Sequence, residues 1–177
     1  MTADPELSTM PWTNDSIETD RLRLRAFRED DKPAILAMAS DPDVRRYLGG
    51  PLPADAIDAI RKSPVGERWG VFCIADLATD VAIGRIGFGR DRDELEVSYE
   101  LLTASWGHGL GAEAVTAALA WVWEHTDDTS VIAVTQSANE PSLRLLRHLG
   151  FGLEREFEEF GAAQSLLRLD RPPADPI

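Results

Sequence analysis

Three glycines at alternating positions form the part of the sequence best suited to bind a ligand. Gly107, Gly109 and Gly111 follow a strand-like run at residues 97–102 and precede good helix formers. Without a Cβ, the backbone at these positions can bend sharply and a ligand can approach it closely. A helix that begins in such a turn starts with unpaired N–H groups and the positive end of its dipole. The turn therefore predicts a site for a phosphate or pyrophosphate; the alternative is a tight strand-to-helix turn without a ligand.

Metal and thiol chemistry have no matching pattern in the sequence. No two histidines or carboxylates have the spacing of metal ligands, so we expect no metal ion. Cys73 is the only cysteine, which excludes an internal disulfide. It lies in an apolar run that suits a small buried side chain better than a nucleophile.

The net charge of −13 limits the classes of partner. It argues against free nucleic acid, because phosphate binding needs a basic surface. It would favour a cationic substrate such as an amine, although an acidic surface can also serve solubility alone. The sequence has no apolar run of about 18 residues, as a membrane span requires, and its polar start lacks the apolar segment of a signal peptide. We therefore expect a cytoplasmic protein with no membrane partner.

The other predicted elements must position the glycine turn and its flanking strand. Hydrophobic periodicity predicts the order β-α-α-β-β-β-α-β-α-β-β, which is typical of one mixed-sheet α/β domain. We assign this domain to residues 17–170 and predict flexible tails at 1–16 and 171–177. The elements other than the turn and its helix are predicted at residues 19–27, 29–40, 54–62, 69–76, 81–88, 130–135, 141–149, 151–160 and 165–169.

The same turn also satisfies the dinucleotide-binding pattern G-x-G-x-x-A through Gly107, Gly109 and Ala112. Three features of the sequence weigh against a Rossmann fold. The pattern follows three or four strands instead of the first one, and no acidic residue occurs at 130–134, about 20 residues on, where the ribose contact is expected. Only 66 residues follow Gly111, too few for the remaining strands of a doubly wound sheet.

The order and spacing of three motifs resemble those of the acyl-CoA-dependent GNAT N-acyltransferases. The family pattern (Gln/Arg)-x-x-Gly-x-(Gly/Ala) is matched with Trp106, Gly109 and Gly111 in the defining places, and an Ala-Glu-Ala helix follows. Asn139-x-x-Ser142 and then Leu-Gly-Phe at 149–151 occur downstream in the family's order.

Two further segments are similar to one branch of that family. Glu18-Thr-Asp-Arg-Leu-Arg-Leu-Arg25 and the Tyr99-Glu-Leu segment resemble the branch that contains the RimJ/RimL-type ribosomal-protein N-terminal acetyltransferases. The resemblance covers about residues 17–170. It implies a single α/β domain in which a mixed sheet of about seven strands, flanked by about four helices, splays beside the central strand.

The resemblance also implies acetyl-CoA as cosubstrate. Backbone N–H groups in the glycine turn would bind its pyrophosphate, and the end of the central strand would pair with the pantetheine arm. Asn139 would bond a pantetheine amide, and Ser142 would lie near the thioester sulfur. The residues expected at the cosubstrate are Leu101, Leu102, Thr103, Trp106, His108, Gly109, Leu110, Gly111, Ala112, Asn139 and Ser142.

In this family an amine attacks the thioester directly in a ternary complex, so the amine must lose a proton to a base. Glu96 and Glu100 are the candidates, and they share one face of the strand unless a bulge intervenes. We favour Glu100, which is nearer the thioester end. The alternative for either carboxylate is pairing with an arginine on a neighbouring strand.

The oxyanion and the departing thiolate also need hydrogen-bond donors. The backbone N–H of Leu101 or Leu102 is suited to the oxyanion. Many family members protonate the thiolate with a tyrosine at the position that is Leu146 here, so we assign that part to Ser142. The alternative for Ser142 is capping of a helix start, and Tyr99 either donates to the substrate or packs in the core.

The predicted function is therefore N-acetylation of a primary amine, either a protein N-terminus or a small amine. Two alternatives stay open: a non-catalytic acyl-CoA-binding interaction module, because position 146 lacks the tyrosine, and a dinucleotide-binding protein. The pattern does not decide between a monomer and a homodimer.

Overall fold

One mixed sheet of eight strands organises the structure, a computed structural model that describes residues 16–173. The strands are β1 Ile17–Glu18, β2 Leu22–Arg25, β3 Val71–Asp76, β4 Ala82–Asp91, β5 Glu94–Leu101, β6 Ser130–Gln136, β7 Gly152–Glu159 and β8 Ala162–Asp170. Their order across the sheet is β1-β2-β3-β4-β5-β6-β8-β7. Of the predicted tails at 1–16 and 171–177, residues 16 and 171–173 lie within the described range and the others outside it.

Four α-helices flank this sheet in the described range. They are α1 Lys32–Ser40, α2 Ala54–Lys62, α3 Leu110–His125 and α4 Glu140–His148, and short 3-10 turns cover Glu29–Asp31 and Thr103–Ser105. The predicted fold class, a single α/β domain with a mixed open sheet and four helices, is confirmed. The sheet has eight strands where about seven were expected.

The additional strand forms because the chain reverses at Thr19. The Thr19 N–H donates to the carbonyl oxygen of Leu22 at 2.9 Å, and the Leu22 N–H donates to the Thr19 hydroxyl at 2.9 Å. This turn brings Ile17–Glu18 back beside β2 as an antiparallel partner. A strand of two residues is too short to give a periodic pattern, so the sequence predicted one strand over 19–27.

Helix α3 holds the glycine turn against the sheet through a fully buried face. Ala114, Val115, Ala118 and Val122 repeat at helical spacing and have no exposed surface. They pack into the main core with side chains of β2–β5. Burying one valine side chain contributes about 1.5–3 kcal/mol, so this face fixes the start of α3 as well as its middle.

The opposite face of the sheet is covered in part by α1. Cys73 is fully buried there and packs in a small cluster that includes Ala34 of α1. Burial raises the pKa of the Cys73 thiol to about 12, so it stays protonated and inert at neutral pH. Between residues 16 and 173, no helix is long and apolar enough to cross a bilayer, and no group of three or more His, Cys, Asp or Glu side chains could hold a metal ion.

Strand β5 is fully paired on one side and open on the other. It pairs with β4 without interruption from Glu94 to Leu101, so no bulge separates Glu96 from Glu100 and the two carboxylates share one face. Its parallel pairing with β6 consists of the single pair Glu96 and Ile132. The two strands diverge beyond that pair, which is the splay that the family resemblance implied.

Candidate active site

The opening between β5 and β6 exposes backbone groups of the central strand. The Leu102 N–H donates to the carbonyl oxygen of Ile83 at 2.9 Å, so this pair is a hydrogen-bonded one. Hydrogen-bonded pairs alternate along an antiparallel ladder. In the continuous register of β4 and β5, the N–H groups of Tyr99 and Leu101 therefore point away from β4, toward the opening. Leu102 has no amide hydrogen left for a ligand, whereas Leu101 does.

The glycine turn lies where β5 leads into α3. Gly107 and Gly109 both have φ of +77°, a left-handed conformation that favours glycine, and Gly109 is the N-cap of α3. The first N–H groups of α3, from Leu110 to Ala112, have no partner within the helix. His108 is exposed between the two glycines. The turn thus presents several amide donors at the positive end of a 16-residue helix, as an anion site requires.

Gly111 has a packing role that the sequence did not reveal. A Cβ at this position would lie 2.9 Å from Leu145 Cδ1 of α4 and 3.5 Å from Leu101 Cδ1 of β5. A contact of 2.9 Å is closer than real Cβ atoms make, so glycine here permits α3, α4 and β5 to meet at the opening.

Trp106 closes the end of β5. Its indole N–H donates to the carbonyl oxygen of Leu101 at 2.8 Å, and its side chain is partly exposed. Directly after Leu101, the chain continues through Leu102 and Thr103 into the 3-10 turn that leads to Trp106. The indole thus orders the strand end that the sequence placed beside the pantetheine arm.

Asn139 is the N-cap of α4. Its side-chain oxygen accepts the Ser142 N–H at 3.4 Å, and its side-chain amide donates to Thr135 Oγ1 at 3.0 Å. One amide hydrogen and one oxygen lone pair of Asn139 remain beyond these two bonds. The side chain is therefore oriented by α4 and β6, and it retains the capacity to bond an amide in the opening.

Tyr99 and Ser142 join the central strand to α4. The Tyr99 hydroxyl and Ser142 Oγ lie 2.7 Å apart. Burial raises the pKa of Tyr99 to about 12, and the bond to Ser142 opposes that shift only in part. Tyr99 therefore keeps its proton at neutral pH and can donate it in a hydrogen bond. Leu146, at the family's tyrosine position, is 1% exposed and belongs to the core.

The two candidate carboxylates have different surroundings. Glu100, the base favoured from the sequence, forms an ion pair with Arg85 on β4, with 2.8 Å between Glu100 Oε1 and Arg85 Nη2. The structure thus has the alternative arrangement, in which this carboxylate pairs with an arginine on a neighbouring strand. Burial raises the pKa of Glu96 above its ordinary value, although the Val134 N–H of β6 donates to its carboxylate. A raised pKa suits a group that must take up a proton. Glu96 is thus the better candidate base, at the closed end of the opening.

Sequence reasoning missed an arginine at the glycine turn. Arg21 donates from Nη1 to the carbonyl oxygen of His108 at 2.9 Å, and from Nε to Glu113 of α3 at 2.7 Å. The Thr19 hydroxyl donates to the same carboxylate at 2.6 Å. The signal was present, because Thr19 and Arg21 belong to the opening motif and Glu113 to the Ala-Glu-Ala helix, but nothing in either motif shows that they meet.

These elements form a continuous site along the opening. Amide donors suited to a phosphate lie at the glycine turn, free strand N–H groups lie beside it, and the Tyr99–Ser142 pair and the Glu96 carboxylate lie along β5. Such an arrangement can bind an extended ligand that carries a phosphate at one end. It can also exchange protons near the other end.

Comparisons with known proteins point to one family. Residues 21–152 match the family model described as Acetyltransferase (GNAT) domain. The chain is 29% identical over 156 residues to the Uncharacterized N-acetyltransferase YoaA of Bacillus subtilis (strain 168), covering 81% of this chain and 86% of that protein.

Solved structures have the same fold. The crystal structure of a GNAT-family acetyltransferase from Bacillus anthracis superposes with a TM-score of 0.75 at 21% identity, over 88% of this chain and 98% of the other. The ribosomal-protein-S5-alanine acetyltransferase from Vibrio fischeri has a TM-score of 0.68 at 17% identity, over 92% of this chain and 100% of the other. At these identities the likeness concerns the fold alone.

Proposed function

The chain belongs to the GNAT acetyltransferase family, and on this premise we propose that it transfers an acetyl group from acetyl-CoA to a primary amine by direct attack in a ternary complex. The observation that carries the proposal is the unpaired edge of β5. It runs from the pair Glu96–Ile132 to the glycine turn and lies beside the hydroxyls of Tyr99 and Ser142.

The residues of the opening fit an acyl-CoA. The turn from His108 to Ala112 offers amide donors to a pyrophosphate, and the left-handed Gly109 leaves no Cβ in the way. The open edge of β5 suits a pantetheine arm, which can extend along it like an added strand. Asn139 retains one amide hydrogen and one lone pair for the same arm. Acetyl-CoA would supply an activated acyl group as a thioester.

Glu96 is the proposed base. Its raised pKa makes it a better proton acceptor than an ordinary glutamate, and it lies on the same strand as the free N–H of Leu101. Glu100 is held by Arg85 and would shape the electrostatics of the acceptor side instead. In this scheme Glu96 takes the proton from the incoming ammonium through a chain of water molecules, because it lies five residues along β5 from Leu101, and the neutral amine becomes the nucleophile.

Leu101 and Ser142 are proposed to stabilise the charges that develop on transfer. The Leu101 N–H faces the opening and would donate to the oxyanion. The Ser142 hydroxyl would donate to the sulfur as the carbon–sulfur bond breaks. Tyr99 would donate in turn to Ser142 Oγ, so the serine proton stays directed at the sulfur while the phenol keeps its own proton.

The proposed acceptor is a protein N-terminus of the kind used by the RimJ/RimL-type branch. The Glu18–Arg25 motif, which resembles that branch, supports this choice. A small amine is the second acceptor class. The net charge of −13 favours cationic acceptors of either class at low ionic strength.

A transfer assay tests the proposal. The protein is incubated with acetyl-CoA and, separately, with peptides that have a free N-terminus, the same peptides with a blocked N-terminus, and spermidine. Release of CoA thiol and acetylation of the amine should both require a free amine, and Ser142→Ala should slow both. Tight acetyl-CoA binding with no transfer to any of these amines would contradict the enzyme and favour a non-catalytic acyl-CoA-binding module.

A further inference from the structure

The glycine turn is held in place from outside by one arginine. Arg21 lies in the turn between β1 and β2, far from α3 in sequence, yet its guanidinium contacts both the turn and the first helical turn of α3. Its Nη2 lies 2.5 Å from Glu113, and its Nη1 donates to the His108 carbonyl at 2.9 Å. The same Nη2 lies 3.6 Å from the point where a Cβ on Gly109 would sit.

Glu113 fixes the arginine in this place. Its carboxylate accepts from Arg21 Nε at 2.7 Å, from the Arg21 backbone N–H at 3.0 Å and from the Thr19 hydroxyl at 2.6 Å. Burial opposes ionisation of Glu113, but these hydrogen bonds outweigh it and hold its pKa below the ordinary value. The carboxylate is therefore charged at neutral pH, and the Arg21 fork has one preferred orientation.

The contact with His108 determines the direction of the next amide. All peptide bonds of the described chain are trans, so the carbonyl and the N–H of the unit between His108 and Gly109 point in opposite directions. Because Arg21 binds the carbonyl oxygen, the Gly109 N–H points away from Arg21. Without this bond the peptide unit between His108 and Gly109 could rotate within the glycine turn. Its carbonyl oxygen would then face the ligand and repel a phosphate.

We propose that Arg21 is a positioning residue of the acyl-CoA site, which binds the His108 carbonyl and so directs the Gly109 N–H to the pyrophosphate. This inference rests on the proposed function and adds a residue to it. Arg21 acts through the backbone of the turn. Its contribution should therefore appear only with ligands that carry the pyrophosphate.

Isothermal titration with two probes tests this role. CoA carries the pyrophosphate, whereas pantetheine has the same arm without it. Arg21→Met should weaken CoA binding about tenfold, as the loss of one charge-assisted hydrogen bond predicts, and leave pantetheine binding unchanged. Arg21→Lys keeps the charge but cannot bond His108 and Glu113 together, so its CoA affinity should lie between those of Arg21→Met and the wild type.

The matched control is Arg61→Met. Arg61 is an exposed arginine in an ion pair with Asp58 on α2, and its side chain is as accessible as that of Arg21 (58% against 51%). This control should bind both probes as the wild type does. Glu113→Gln supplies a second variant if Arg21→Met does not fold, and it should weaken CoA binding less but in the same direction.

The outcomes separate this inference from the proposed function. If the wild type does not bind CoA, the proposed function fails. If the wild type binds CoA and Arg21→Met binds it equally well, only the role of Arg21 fails. An equal loss of CoA and pantetheine binding would also overturn that role, because it would mean that Arg21 supports the fold in general.

Discussion

The hydroxyl of Tyr99 on the central strand lies 2.7 Å from the hydroxyl of Ser142 on α4. The bond spans the opening between β5 and β6, where α4 begins. Leu146 fills the core at the position where the family resemblance implied a tyrosine. In this chain the phenol nearest to the reacting sulfur would thus come from the sheet and act through a serine.

The hydrogen bond between Tyr99 and Ser142 predicts that the effects of mutating the two residues on the rate are not additive. Ser142→Ala should lower kcat about 10²-fold and Tyr99→Phe about tenfold, with little change in KM for acetyl-CoA. Because Tyr99 acts through Ser142, adding Tyr99→Phe to Ser142→Ala should cause no further loss. Steady-state rates of the four proteins measure this. Multiplicative losses in the double variant would show that the two hydroxyls act separately.

The two carboxylates on β5 predict different pH profiles. A base must be deprotonated, so the rate should fall in acid, as pH drops through the raised pKa of Glu96. Glu96→Gln should lower kcat about 10²-fold and remove this acid limb. The matched variant Glu100→Gln should keep the limb, because Glu100 is paired with Arg85. Loss of the limb in Glu100→Gln alone would make Glu100 the base.

Stability gives an independent check on Glu96. Burial raises its pKa, so the folded state binds the proton more tightly than the unfolded state does. Its ionisation therefore costs stability at pH values above the folded pKa. The neutral amide of Glu96→Gln should not lower Tm at neutral pH, which also shows that any loss of activity is not caused by unfolding. A lower Tm at neutral pH would contradict the raised pKa.

Charge at the glycine turn should govern CoA affinity. His108→Glu adds a carboxylate at an exposed position of the turn, and like-charge repulsion should weaken CoA binding about tenfold at low salt and less at high salt. His148→Glu makes the same change at the exposed C-terminal end of α4 and serves as the control. Equal affinities for the two variants would mean that the pyrophosphate binds elsewhere. A substituted Gly111 would be less informative, because its Cβ would contact Leu145.

Breaking a buried ion pair outside the site should lower the stability of the protein more than breaking an exposed one. Arg25 and Asp31 are 4% and 5% exposed, and Arg25 donates to both Asp31 oxygens at 2.7 and 3.0 Å. Burial opposes the charge on Asp31, but the bonds from Arg25 outweigh it and hold its pKa below the ordinary value. This stabilisation is present above the unfolded pKa and is lost as pH falls through the folded one.

Asp31→Asn leaves the buried Arg25 charge with Asp80 as its remaining carboxylate partner, at 3.0 Å from Nε. The loss of the hydrogen bonds to a charged group should cost about 1.5–3 kcal/mol at neutral pH, which lowers Tm by roughly 3–12 °C in a chain of this size. The exposed pair of Asp58 and Arg61 gives the control, since Asp58→Asn should cost under about 1 kcal/mol. The difference in Tm between the wild type and Asp31→Asn should become smaller in acid, because Asp31 of the wild type is then protonated. Equal melting temperatures for the two variants at neutral pH would contradict the account.

Local patterns predicted the parts of the fold that local chemistry decides. Helix α2 spans Ala54–Lys62 as predicted, and the glycine turn lies between β5 and α3. Both follow from side-chain periodicity and from the freedom of glycine, which depend on neighbours in sequence. The absence of a bulge between Glu96 and Glu100 was left open, because it depends on how β5 pairs with β4.

Contacts between distant segments could not be predicted in the same way. Arg85 meets Glu100 because of the register of β4 and β5, and Arg21 meets Glu113 because β2 lies beside the start of α3. Each partner alone looks like an ordinary surface charge in the sequence. The preference for Glu100 as base therefore rests on its position along β5 alone, because the sequence does not show that Arg85 lies opposite it.

Thermal melts with acetyl-CoA and with NAD test most directly whether the opening beside β5 and the glycine turn form an acyl-CoA site. A ligand that binds only the native state, at 100 times its Kd, stabilises it by about 2.7 kcal/mol. For a domain of this size that raises Tm by about 5–11 °C. We predict this rise with acetyl-CoA and no change with NAD. A rise with NAD alone would indicate a dinucleotide site, and no rise with either ligand would contradict the proposed function.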